Sequence, residues 1–93
     1  MNKSLLLEVF STDGNAQRIE CDYVRLPVAQ ESSGKFSGSC GIKKGHAKAA
    51  ISLGDGILSA DMNGENVFKA EISGGFAVVE NNTVAVTVEK IRI

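Results

Sequence analysis

The residues with most chemistry to offer lie in the stretch GSCGIKKGHAKAA at 38–50, where Cys40 precedes the single histidine, His46, by six positions among three glycines and several lysines. A cysteine nucleophile needs a depressed pKa and a base within hydrogen-bond reach, and His46 is the one candidate base. No third residue presents itself to orient that base. A small, half-buried cysteine beside a turn is the plainer reading, so no catalytic residue is expected.

A phosphate cradle fares no better. It needs glycines followed by Lys and Ser or Thr at the opening of a helix, so that free amides face the anion. Here Lys43 and Lys44 precede Gly45, and no helix is expected. Metal binding fails on ligand number, since one histidine and two separated cysteines, Cys21 and Cys40, do not make a recognisable four-ligand set. No cofactor or metal site is expected. His46, between Gly45 and Ala47, suits a turn held by backbone hydrogen bonds, with contact to a partner as the competing role. The two lysines fit either a solvated turn or a point of contact with acidic or carbonyl groups.

The chain around this stretch is short and nearly neutral. Its 93 residues are read as a single domain spanning 1–93. A chain of this size has little surplus stability with which to support a deep active site. Ten Lys and Arg against eleven Asp and Glu leave a formal net charge of −1, so no basic field recruits nucleic acid or anionic lipid. MNKSLLLEVF does not read as a signal peptide, and no apolar run reaches the roughly 18 residues of a membrane helix. Two cysteines without secretory features suit a reducing compartment, so a soluble cytoplasmic chain with no direct membrane insertion is expected.

The elements that must position these residues follow a period of two. Phe68, Ala70 and Ile72 share one face of a strand, as do Val84, Val86 and Val88, while Phe76, Val78 and Val79 supply apolar bulk between Ser73–Gly74–Gly75 and the polar Asn81–Asn82 turn. That order predicts three strands in an antiparallel meander. Upstream, Leu5, Leu7 and Val9 lead into a tight turn at Asp13–Gly14. Ile19 and Cys21 then sit on odd positions while Val24, Leu26 and Val28 sit on even ones, which calls for a bulge or bend near Asp22 and Tyr23. Residues 29–39 read as an exposed loop or irregular edge. The segment after His46 tolerates a helix at its alanines, but Gly54 and Gly56 favour a strand. The whole predicts an all-β fold, a two-sheet β-sandwich or flattened barrel of about eight to ten short, mostly antiparallel strands.

Four pieces together resemble the N-terminal β-sandwich domain of the epsilon subunit of the F-type ATP synthase: FSTDG at 10–14, GIKKGHA at 41–47, GDGIL at 54–58 and ISGGFAVVENNTVAV at 72–86. The second is similar to a family segment Gly-Ile-x-Pro-Gly-His-Ala. Lys44 and Lys48 stand where the family usually has prolines, Ser39 replaces a commonly acidic position, and the polar segment around Glu31 to Ser37 is several residues longer. Many members continue into a helical hairpin that inhibits ATP hydrolysis. The chain ends at Ile93 and is expected not to inhibit by that route.

The resemblance implies a non-catalytic central-stalk subunit that links the gamma subunit to the c-ring and couples ion translocation to ATP synthesis, on the cytoplasmic face of the cell membrane. It implies a c-ring contact at Gly38, Ser39, Cys40, Gly41, Ile42 and Lys43, with Ile42 either anchoring the loop or meeting the partner. Ser11 and His46 would face gamma. Because a fold alone does not fix function, a free-standing β-sandwich binding or adaptor module is the alternative, and a thiol-dependent enzyme a distant third.

Overall fold

Alternation of period two runs directly into β1 (Leu5–Ser11), where Leu5, Leu7 and Val9 are buried and Leu6, Glu8 and Phe10 point the other way. The computed structural model describes residues 4–29 and 38–93, so most of the polar segment expected as a loop lies outside the described residues. The other strands are β2 (Ala16–Cys21), β3 (Tyr23–Pro27), β4 (Ser39–Lys43), β5 (Ala49–Leu53), β6 (Gly56–Met62), β7 (Glu65–Glu80) and β8 (Thr83–Arg92). The all-β expectation holds, and the ambiguous segment after His46 forms β5 and β6. Asp22 is the bend that the change of parity required, separating β2 from β3.

The turns have the residues that their backbone demands. β1 and β2 are joined at 12–15, with Gly14 at φ +100°. Asn63–Gly64 and Asn81–Asn82 are two-residue hairpin turns with both central residues at positive φ, at 55° and 83° and at 52° and 59°. That pair of angles defines the turn whose twist matches two antiparallel strands, and Asn and Gly reach it at least cost.

Strands run in the order β2-β1-β8-β7-β6-β3-β4, with β5 paired to β7. All pairs are antiparallel except β1 with β8. The two ends of the sheet, β2 and β4, do not pair, so it is not closed into a barrel. Instead it folds over until β2 comes against β6 and β7. The inward faces enclose one cluster that includes Leu7, Leu26, Ile42, Leu58, Ile72, Val79 and Val86.

The expected meander needs correction at its centre. Ser73–Gly74–Gly75 is not a turn, because β7 continues through it for 16 residues. Gly74 and Gly75, at φ +65° and +131°, turn the strand over. The buried residues are even before them (Phe68, Ala70, Ile72) and odd after them (Ala77, Val79). Both neighbours change parity at the same level: Leu53 gives way to Leu58 across Gly54–Asp55, and Val88 to Ile91 across Glu89–Lys90. Phe76 and Val78, read from sequence as apolar bulk, therefore face solvent, 53% and 36% exposed.

Candidate functional site

The 38–43 segment, expected as a loop, is in the main the strand β4, which among the described residues pairs with β3 alone, through Leu26↔Cys40 and Val24↔Ile42. Burying Ile42 is worth roughly 1.5–3 kcal/mol, more than the ~1 kcal/mol span of strand propensity that Gly41 sets against it. Ile42 is fully buried in the isolated chain. Ser39, Gly41 and Lys43 are exposed on the opposite side, Cys40 packs partly against the core, and Gly38 is half-buried and accepts a hydrogen bond from Val28 at 3.0 Å.

On that outer side Tyr23 lies across Gly41, occupying the space where a side chain would stand. The Arg25 guanidinium carbon is 5.7 Å from the centre of the Tyr23 ring. Arg25, opposite Gly41 in the ladder, and Lys43, opposite Tyr23, flank the ring. Sequence reading missed this stacked surface beside β4, although Tyr23 and Arg25 share an outward parity.

After β4 the chain turns at Lys43–Lys44–Gly45–His46. The His46 amide donates to the Lys43 carbonyl at 3.1 Å, and Gly45 has φ +84°. This is a type II turn, whose third residue needs positive φ and whose second accepts proline. His46 is exposed, and its Nδ1 donates to the Ala47 carbonyl at 2.8 Å. No hydrogen bond joins Cys40 to His46, and the thiol faces the core side of β4 while the ring is in solvent. The nucleophile-and-base arrangement is not assembled. Burial pushes the other thiol, Cys21, above its ordinary pKa, assisted by the charges of Asp22 and Asp61.

Ser11 and His46 stand near opposite ends of the β1–β8 ladder, Ser11 on the inward parity of Leu5, Leu7 and Val9. Ser11 pairs with Val88 at one end of the β1–β8 ladder, and the His46 turn is fastened to Asn82 just beyond the other end. Six paired residues of β1 separate the ends, roughly 17 Å at 3.3 Å per residue. Between them the outward residues include Leu6, Phe10, Phe76, Val78, Ala85 and Thr87, with Glu8 between Leu6 and Phe10 and opposite Ala85. Phe10, 43% exposed, lies in line with Thr87 and Phe76 across three adjacent strands. Ion pairs edge this face, with Arg18 to Glu8 at 3.1 Å and Lys48 to Glu80 at 3.6 Å. The β8 and β7 part of this face is apolar or uncharged at Phe76, Val78, Ala85 and Thr87, with Phe10 beside it and charge paired at its borders, an arrangement that suits a protein interface. Neither Phe10 nor Phe76 was expected on an exposed face, for which the parity of Phe10, opposite to that of Leu5, Leu7 and Val9, was the available signal.

An open groove at the sheet corner is lined by Asp13, Asp55, Glu71 and Glu89 with Lys90 and Arg92. Among the described residues no three His, Cys, Asp or Glu side chains converge to hold a metal ion. No helix among them is long and apolar enough to cross a membrane.

Residues 4–92 match the family described as the ATP synthase, Delta/Epsilon chain, beta-sandwich domain. The ATP synthase epsilon chain of Synechococcus sp. (strain JA-2-3B'a(2-13)) is 32% identical over 87 residues, covering 94% of this chain and 58% of that one. That of Lawsonia intracellularis (strain PHE/MN1-00) is 35% identical over 89 residues, covering 96% and 61%. The chain thus spans about three-fifths of the length of these curated relatives. Among solved structures, a chain of the Euglena gracilis mitochondrial ATP synthase OSCP/F1/c-ring assembly superposes with a TM-score of 0.77 at 21% identity, covering 98% of this chain and 54% of its own. A chain of the Tetrahymena thermophila mitochondrial ATP synthase central stalk and c-ring gives 0.68 at 16%, covering 98% and 68%. With a family match along nearly its whole length and a sandwich fold to go with it, the chain belongs to the ATP synthase delta/epsilon β-sandwich family.

Proposed function

We propose that this sandwich is a non-catalytic rotor element of an F-type ATP synthase, held between gamma and the c-ring at the cytoplasmic face of the cell membrane. The observation that carries the reading is the exposed face on which Phe10, Thr87 and Phe76 line up across three strands, bordered by the Arg18–Glu8 and Lys48–Glu80 pairs and lying along the ladder between the levels of Ser11 and of the His46 turn. Gamma would cover that face. β4, with Ser39, Gly41 and Lys43 outward, would meet the ring, with Gly38, Cys40 and Ile42 supporting it from within.

The physical task is to transmit torque and do no bond chemistry. A folded-over sheet with a close-packed core resists deformation because its strands are cross-linked by ladder hydrogen bonds and its interior has few voids. Every strand of the docking face shares a ladder with a neighbour that also lines the core, so load on Phe76 passes through β7 directly to Ala77 and Val79.

The test is co-purification of the chain with gamma and the c-ring, comparing wild type with Phe76→Asp, Lys43→Ala and Gly45→Val. Phe76→Asp should abolish gamma capture while leaving the fold intact, because the side chain is exposed in the free chain. Gly45→Val, which forces a β-branched residue to positive φ, should disturb assembly more than Lys43→Ala. Undiminished gamma capture by Phe76→Asp would overturn the assignment of this face, and failure of the wild type to associate with either partner would overturn the rotor reading.

A further inference from the structure

The connection between β4 and β5 carries Lys44, His46 and Lys48 on an exposed turn, and a turn of that kind contributes to a partner only if it is held in place beforehand. Its internal hydrogen bonds, His46 to Lys43 and the His46 ring to Ala47, shape the turn but do not fix it to the body of the protein. The Lys48–Glu80 pair does reach the body, but both side chains are at least half exposed, and such pairs contribute about 0–1 kcal/mol. Among the described residues the remaining tether is the Gly45 amide, which donates to Asn82 Oδ1 at 2.7 Å.

Asn82 is well placed to be a fixed point. It sits at φ +59° in the β7–β8 hairpin turn, and its backbone carbonyl accepts from the Leu6 amide at 2.9 Å, tying in the start of β1. One residue therefore joins three parts of the chain: the β7–β8 turn through its own backbone, β1 through its carbonyl, and the Lys43–His46 turn through its side chain. Side-chain length and acceptor chemistry both matter for the last of these. Asparagine and aspartate supply an oxygen at the same reach, and alanine and glycine supply none.

We infer that Asn82 is a positioning residue for partner binding, locking the His46-bearing turn against the end of the apolar face through the Gly45 amide. The inference rests on the reading of that face as the gamma-docking surface. It goes further in assigning the orientation of the turn to a residue that need not touch the partner.

The test pairs Asn82→Gly with Asn82→Asp in the full chain. Asn82→Gly keeps the positive φ and creates an Asn-Gly turn, the sequence that favours this hairpin most, so the sandwich itself is not weakened. Amide hydrogen exchange should then be about tenfold faster at Gly45 in Asn82→Gly, the amount expected for one net hydrogen bond, and unchanged at Val84 and Val86. Asn82→Asp should retain Gly45 protection. Gamma capture should weaken by a similar factor in Asn82→Gly and be retained in Asn82→Asp. Unchanged Gly45 exchange in Asn82→Gly would overturn the tether, and faster exchange with undiminished capture would overturn its role in binding. If wild-type chain captures no gamma, the docking reading falls, and the exchange comparison still decides the tether.

Discussion

Gly75 approaches the backbone of Thr87 so closely that a β-carbon on it would overlap the Thr87 carbonyl oxygen and lie 2.9 Å from Val88 Cα. Both obstacles are main chain in the neighbouring strand, so neither can swing aside. Gly74, one residue earlier at φ +65°, has only a Glu89 carboxylate oxygen within reach, at 4.0 Å. Gly75→Ala should therefore lower the unfolding free energy by about 3 kcal/mol or more, and Gly74→Ala by about 1–2 kcal/mol, the cost of left-handed backbone alone. Chemical denaturation of the two variants measures the difference. Equal losses would show that the close approach at the corner is not what restricts Gly75.

Tyr23 obstructs Gly41 differently, because the obstacle there is the far end of a side chain. Gly41→Ala should push the ring off the strand at a cost under about 1 kcal/mol, since a better strand former offsets the lost packing. The chain has one tyrosine and no tryptophan, so intrinsic fluorescence reports this ring alone. A shifted tyrosine emission with a nearly unchanged melting temperature is expected for Gly41→Ala. Emission identical to wild type would mean that the ring does not cover Gly41 in solution.

Much of this was legible in the sequence, and what was hidden has a common cause. Leu5-Leu7-Val9, Phe68-Ala70-Ile72 and Val84-Val86-Val88 alternate locally, and the Asp13–Gly14 and Asn81–Asn82 turns are written in residues that tolerate positive φ. Ser73–Gly74–Gly75 was hidden because a turn and a turned-over strand both ask for glycine. What separates them is pairing with β5 and β8, and that is not local. The parallel β1–β8 pair is equally remote in sequence. At the site, the Cys40 and Ile42 alternation was visible but masked by Gly41, whose missing side chain is supplied in space by Tyr23. Phe10 and Phe76 were hidden because hydrophobicity alone does not say which face of a strand is covered.

Lys44 occupies the second position of the type II turn, where the resemblance implies a proline. Lys43 before it is in extended strand, the conformation that a following proline prefers, and the turn is closed by the His46 amide without help from that of Lys44. Lys44→Pro should raise stability by about 0.4–1 kcal/mol by restricting the unfolded chain. Thermal denaturation checks this, and a lower melting temperature would show that the Lys44 backbone is not compatible with the ring.

The Ser11 hydroxyl donates to Asp13 Oδ1, and the Asn15 amide and side chain donate to the same oxygen at 3.3 and 3.1 Å. With Ser11 the largest contributor, these bonds hold the Asp13 carboxyl below its ordinary pKa. A depressed carboxylate stabilises the folded state fully above the ordinary aspartate range, and loses that contribution as pH falls through its lowered value. An NMR titration should find Asp13 ionised to lower pH than a free aspartate, and Ser11→Ala should move it back up. Because the carboxylate is exposed, added salt should change this little if hydrogen bonds dominate and markedly if distant charges do. An Asp13 titration that is the same in both proteins would show that the hydroxyl is not committed to the hairpin, leaving Ser11 free to bond directly to a partner.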